Sequence, residues 1–206
     1  MDARFVAYVL VSAVLIVTPG PDMALVARNA VGGGYPAARS TAFGVGLGIL
    51  LWGLFSALGL AAALATSAAL FTGVKLAGAL FLVALGLRSL WAAARRAPQA
   101  GEPSRAAPAG ARRLFAQGLV GNLLNPKAGA IFVAVVPQFI EPADPPFRIA
   151  AMTGAFVVMV TAWLNGYGFL VARAAARFGP RIRRLMDAAA GAVMVGLGVR
   201  LAVERR

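Results

Sequence analysis

Apolar residues in this chain are gathered into blocks long enough to cross a bilayer, and two of those blocks are cut by proline. A span needs roughly 20 apolar residues to cover about 30 Å of hydrocarbon. Six segments are read on that basis: Arg4–Ala30, about Thr41–Ala65, about Ala69–Trp91, Leu114–Ile140, about Phe147–Ala172 and about Leu185–Val203. The first is interrupted by Thr18-Pro19-Gly20-Pro21-Asp22, the fourth by Asn125-Pro126-Lys127. The composition agrees, with 60% hydrophobic and only 13% charged residues among 206. An ordinary soluble domain is about 45–50% apolar and about 25% charged, so a soluble globule would lack polar surface here. The expected fold class is an all-α integral membrane protein with six transmembrane helices.

The net charge of +13 is concentrated in the connections between segments, which suits orientation in a membrane better than nucleic-acid binding. Arg28 and Arg39 fall between segments one and two. Arg95, Arg96, Arg105, Arg112 and Arg113 lie between three and four, and Arg173, Arg177, Arg181, Arg183 and Arg184 between five and six. That places twelve basic residues on one side; Arg4, Arg148, Arg205 and Arg206 make four on the other. Basic loops stay cytoplasmic. The expectation is therefore a multi-pass membrane protein whose basic side is cytoplasmic and whose termini both lie outside. The Ala-, Pro- and Arg-rich stretch Ala92–Gly110 lacks interleaved aromatics for base stacking and reads as a solvated loop. Phe5–Val17 has the length of a leader's apolar stretch. However, Asp2 and Arg4 cancel and no small-residue cleavage site precedes Pro19, so no cleaved leader is expected.

That basic stretch divides the chain into a first three-helix unit (1–91), a linker (92–113) and a second three-helix unit (114–206). Lys75–Arg88 lies over Asp187–Arg200 at an offset of 112, with five of 14 positions identical, among them Gly86/Gly198 and Arg88/Arg200. In each unit the first segment is the proline-broken one. Three spans per unit would set the two units antiparallel across the membrane. This is the inverted-repeat plan of many secondary transporters.

Proline inside a helix removes a donor and clashes with the preceding turn. Irregular backbone at membrane depth survives only where protein or a cavity surrounds it. Pro19, Gly20 and Pro21 should unwind a full turn, and Asn125 and Pro126 should break the fourth segment near its middle. Each break carries an ionisable residue, Asp22 in one and Lys127 in the other, and charges at that depth mark an ion or substrate path. One reading has Asp22 capping the following half-helix with Lys127 as its ion-pair partner. The other has the amides after Pro126, helped by Lys127, holding a carboxylate, and Asp22 holding an ammonium or a proton. A zwitterionic amino acid satisfies both ends. Asn122, one turn before the second break, is a further candidate. Asn165 either donates to a substrate or bridges helices. Gly44, Gly46, Gly48 and Gly53 read as a close-packing face.

On these residues the chain resembles the lysine-exporter / homoserine-threonine-resistance (LysE/RhtB) family of bacterial amino-acid exporters, over nearly its whole length. Thr18-Pro19-Gly20-Pro21-Asp22 is similar to the family's first-helix motif. Gly121-Asn122-Leu123-Leu124-Asn125-Pro126-Lys127-Ala128 with Pro137-Gln138-Phe139 is similar to its fourth-helix motif, and Leu76–Leu82 with Gly86 to its third helix. The resemblance implies secondary active efflux of amino acids or related metabolites, driven by the proton-motive force. Many members carry Asn where Asp22 stands, and many carry a His in segment two that this chain lacks, so the resemblance does not carry over a substrate. A homodimer is expected only on the ground that small six-span proteins often self-associate.

Other classes fit less well. With no Cys and no His, thiolate chemistry, imidazole metal sites and Ser-His triads are excluded. The nearest alternative is an inorganic-ion or metal transporter of similar broken-helix form, but the absence of Cys and His argues against soft metals and the scarcity of intramembrane carboxylates against hard ones; a membrane enzyme or redox carrier is disfavoured on the same residues. No cofactor is expected. A scaffold would have little use for two unwound helices carrying charges.

Overall fold

The computed structural model describes residues 3–58, 68–95, 110–141, 144–178 and 180–203. Most of the expected linker, the connection between segments two and three, and the Arg205-Arg206 pair lie outside these residues. The elements among the described residues are all helical: α1 (Ala3–Val17), α2 (Pro21–Ala57), α3 (Ala68–Arg95), α4 (Ala111–Leu123), α5 (Pro126–Ala130), α6 (Pro146–Arg177) and α7 (Pro180–Val203). Between α5 and α6 the chain continues as a π-turn at Ile131–Val135 and a 3-10 turn at Val136–Phe139. Pro137 explains that loosening, because a proline cannot donate to the turn before it.

Among the described residues, three helices are long and apolar enough to cross a membrane: Pro21–Ala57, Phe147–Arg177 and Arg184–Val203. A fourth span results if Ala111–Leu123 and Pro126–Phe139, bent by 51° at their break, count as one. Each helix turns one stripe inward and presents apolar side chains outward. In α1 the buried residues Tyr8, Ser12 and Ile16 recur every four positions, which is one face of a 3.6-residue helix. Leu10 and Val14 point away from that face, and Leu80, Val158, Leu170 and Val203 on other helices are also more than 60% exposed. An exterior this apolar belongs in lipid, and the protein is a multi-pass membrane protein.

One expectation changes. Residues 31–40 were read as a loop between segments one and two, but α2 runs through them with a single kink. Gly34 sits at φ 70°, a conformation that only glycine adopts without strain. The kink folds the two arms of α2 back on each other. Asn29 Nδ2 donates to Thr41 Oγ1 at 2.8 Å, whereas a straight helix would hold residues twelve apart at about 18 Å.

The second arm of α2 packs between α4 and α6 at contacts that only glycine allows. A Cβ on Gly44 would lie 2.0 Å from the Phe115 carbonyl oxygen, and one on Gly118 would lie 2.1 Å from that of Thr41. Gly46 and Gly53 meet Thr161 and Thr153 of α6 in the same way, so the glycine face of segment two is a packing face. α3 and α7 form a second pair, packed antiparallel with Gly86 against the Gly191 carbonyl and Gly198 against that of Ala79. The main core gathers Tyr8, Val26, Ile49, Phe132, Met152, Phe156 and Leu164. It lies directly against the two helix breaks.

Candidate functional site

The first break begins where α1 runs out of donors. Leu15 would give its carbonyl to the N–H four residues on, but that residue is Pro19. Thr18 closes the last turn by sending both N–H (3.1 Å) and Oγ1 (2.8 Å) to the Val14 carbonyl. Gly20 then runs fully extended as the N-cap of α2, and Pro21 occupies the first turn, where a missing N–H costs nothing. Asp22 also lies in that first turn, at the positive end of the helix.

The second break follows the same logic. α4 ends at Leu123, and the Asn122 carbonyl loses its normal partner because residue 126 is proline. It accepts instead from the Asn125 N–H at 3.0 Å and from Trp52 Nε1 at 3.3 Å. Asn125 caps α5, its Oδ1 accepting from the Lys127 N–H at 3.0 Å.

The two breaks meet, and each carries the side chain that the other needs. Lys127 Nζ donates to the Leu15 carbonyl at 2.8 Å, the acceptor orphaned by Pro19, and to the Thr18 carbonyl at 2.7 Å. In return Asn122 Nδ2 donates to Asp22 Oδ2 at 3.0 Å. Asp22 Oδ1 is buried and has no hydrogen-bond partner among the described residues, and neither has Asn122 Oδ1. Gly48 makes room for this pair, since a Cβ there would lie 2.5 Å from Asn122 Oδ1.

Between the breaks lies a small cavity of about 40 Å³, open on one side and bordered by Thr18, Gly20, Asp22, Asn125 and Lys127. Its far wall is apolar and comes from the second arm of α2, the π-turn and α6. The structure thus brings Gly20, Asp22, Asn125 and Lys127 to one space, with Asn122 behind Asp22. Pro19, Pro21 and Pro126 shape the breaks without lining the cavity. Asn165 lies elsewhere: its Nδ2 donates to Thr161 within α6 at 2.8 Å, and its Oδ1 faces the Tyr35 hydroxyl at 3.5 Å. This is the helix-bridging arrangement.

Two details differ from the sequence reading. Gly20, not Asp22, caps α2, and no side-chain bond contributes to that cap. The first amide after Pro126 is already taken by Asn125, and Lys127 is seated on backbone carbonyls rather than on the Asp22 carboxylate.

A second polar cluster has no counterpart in the sequence reading. Arg28 donates through Nε to Ser89 Oγ and through Nη1 to Asn29 Oδ1 at 3.1 Å. Asn29 in turn reaches Gln117 Oε1 at 3.3 Å. The cluster ties α2, α3 and α4 together on one side of the breaks. The adjacent Arg-Asn pair inside an apolar stretch, just before three glycines, was its only signal.

An apolar helical bundle whose two helix breaks face each other across a cavity bearing a carboxylate and an ammonium is the architecture of a membrane transporter. A profile of the LysE type translocator family matches residues 13–205, and the chain belongs to that family. It is a transporter and not an enzyme. Over almost its full length it is similar to the threonine efflux protein of Escherichia coli K12, 28% identical over 202 residues and 98% of each chain. It is 31% identical over 204 residues to the homoserine/homoserine lactone efflux protein of Salmonella typhimurium, covering 97% of this chain and 96% of that one. An uncharacterized membrane protein of Pseudomonas aeruginosa is 33% identical over 205 residues, with 96% and 94% covered. No solved structure matches the chain.

Proposed function

We propose that this protein is a secondary transporter that exports amino acids or closely related metabolites across the bacterial cytoplasmic membrane. The observation that carries the reading is the exchange between the breaks. Lys127 of one and Asp22 of the other border a single cavity, so a zwitterion bound there meets a cation and an anion. Lys127 spends two of its three N–H groups on carbonyls, and the third remains for a substrate carboxylate. Asp22 Oδ1, buried without a partner, accepts from the substrate ammonium. Because Asp22 receives either an ammonium or a proton, efflux is coupled to proton entry. The names of the threonine and homoserine relatives agree with this substrate class.

In this reading the chain has six spans in two inverted units, residues 1–91 and 114–206, joined by a cytoplasmic linker, with both termini outside. The reciprocal packing of Gly86 on Gly191 and Gly198 on Ala79, with Gly86 and Gly198 equivalent at the 112-residue offset, supports the repeat. Nothing favours the inorganic-ion alternative over it.

Uptake of labelled amino acids into inside-out vesicles tests the function. The expected result is accumulation that a protonophore collapses. Equal uptake by vesicles with and without the protein overturns the reading.

A further inference from the structure

Resting on the amino-acid reading above, we infer that the exported substrates are amino acids with an uncharged aliphatic side chain, and that Ile49, Ile131, Phe156, Val160 and Leu164 form the side-chain subsite. The cavity lining is largely apolar, on the break elements as well as beyond them. Its charged groups, Asp22 and Lys127, both belong to the helix breaks and serve the α-ammonium and α-carboxylate. The opposite wall is built by Phe156, Val160 and Leu164, spaced by four along one face of α6, together with Ile49 and Ile131. All five are at most 7% exposed. Phe156 is held edge-on by Phe132, with ring centroids 5.7 Å apart, so this wall is fixed.

Two other polar side chains border the cavity, and both are already engaged. Thr18 Oγ1 donates to Val14; Asn125 Oδ1 caps α5, and the Asn125 side chain also hydrogen-bonds Asp22. A lysine or glutamate side chain directed at the wall would therefore be stripped of water with no partner. A hydroxyl would lose its hydrogen bond to water for the same reason, though an apolar wall rejects an isostere bearing one hydroxyl by only about 100-fold. Valine and threonine have nearly the same shape, so this pair isolates the polarity of the subsite.

The experiment is uptake of labelled valine, threonine and lysine into inside-out vesicles containing the full-length protein, with wild type and Val160→Thr compared at equal membrane abundance. Wild type should take up valine with an efficiency about 10- to 100-fold above threonine and should exclude lysine. Val160→Thr places a hydroxyl on the wall. That hydroxyl can donate to the Phe156 carbonyl one turn back and still accept from the substrate. The valine-to-threonine ratio should then fall several-fold, as valine loses apolar contact and threonine gains a partner. Threonine or lysine handled as well as valine by the wild type overturns the subsite and leaves amino-acid export standing. An unchanged ratio in Val160→Thr removes Val160 from the subsite. Uptake of no amino acid at all overturns both readings.

Discussion

Lys127 holds its ammonium 2.7 Å from the carbonyl oxygen of Thr18, more than a hundred residues earlier in the chain. With the companion bond to Leu15, it satisfies backbone that prolines have left open in the other broken helix. Each break therefore stabilises its counterpart. Any motion that separates them exposes carbonyls and a carboxylate that must find new partners, which in the proposed reading a zwitterionic substrate supplies. The proposed site and the structural link between the breaks share the same few atoms.

Asn122 is the other half of the exchange. Asn122→Ala removes the Asp22 Oδ2 hydrogen bond in a fully buried place. The stability loss should be about 1–3 kcal/mol, the cost of a buried acceptor left unsatisfied. Asp22→Asn keeps an acceptor for Asn122, so it should fold. With no charge to exchange for a proton, its transport should lose dependence on the proton gradient. Thermal unfolding in detergent checks the first outcome, and vesicle uptake with and without a pH gradient checks the second.

Glycine substitutions should separate by what their new methyl meets. Gly44→Ala drives a Cβ to 2.0 Å from the Phe115 carbonyl and should destabilise by about 3 kcal/mol or more, beyond ordinary overpacking because backbone cannot yield. Gly48→Ala meets the Asn122 side chain, 2.5 Å from its Oδ1. It should cost less stability and more transport, because it pushes Asn122 against Asp22. At Gly32 nothing lies within 4 Å, and Gly32→Ala should be neutral or slightly stabilising. Membrane abundance and melting temperature, read together with uptake, distinguish the three.

Asp144 gathers Arg4 and Arg148 near one end of the bundle. Its carboxylate is 8% exposed, accepts from Arg4 Nη1 and Nη2 at 3.3 Å and lies 3.3 Å from Arg148 Nε. Glu141 also pairs with Arg4, at 2.7 Å, but is 62% exposed. Asp144→Ala should cost about 3 kcal/mol, as breaking a buried pair does. Glu141→Ala should cost about 0–1 kcal/mol, as at a surface pair. Melting curves of the two variants in detergent give the comparison.

Orientation is open to direct labelling because the chain contains no cysteine. A single cysteine at Gly101 should be reached by an impermeant maleimide only from the cytoplasmic side, and one at Glu141 only from outside. The excess of basic residues on one side, eleven to four once Arg28 is set aside in its helix junction, leads to that expectation. Labelling of position 101 in intact cells reverses the topology.

Much of the site was legible because proline acts locally. Pro19, Pro21 and Pro126 remove N–H groups wherever they stand, so the breaks could be placed from sequence alone. That Asn125 caps the helix after the second break emerges only from the structure, where its Oδ1 accepts from the Lys127 N–H. What the sequence could not fix were the long-range partners. Lys127 and Asp22 were natural partners by charge, but the Lys127 ammonium is taken up by the Leu15 carbonyl, orphaned at Pro19, and by that of Thr18. Their direction depends on how the broken helices cross. Arg28 read as a loop charge because Gly32-Gly33-Gly34 looked like a connection. A positive φ at one of those glycines turned it into a kink and drew Arg28 into a helix junction. Asn165 was equally plausible as substrate ligand or helix bridge, and only the position of Tyr35 separates the two.

The central claim is that the junction of the two breaks is the substrate site, and Lys127→Ala tests it most directly. Amino-acid efflux from preloaded cells is measured beside the amount of protein in the membrane. The account predicts that efflux falls to the level of cells lacking the protein while the variant still reaches the membrane. Normal efflux by Lys127→Ala at normal abundance would contradict it.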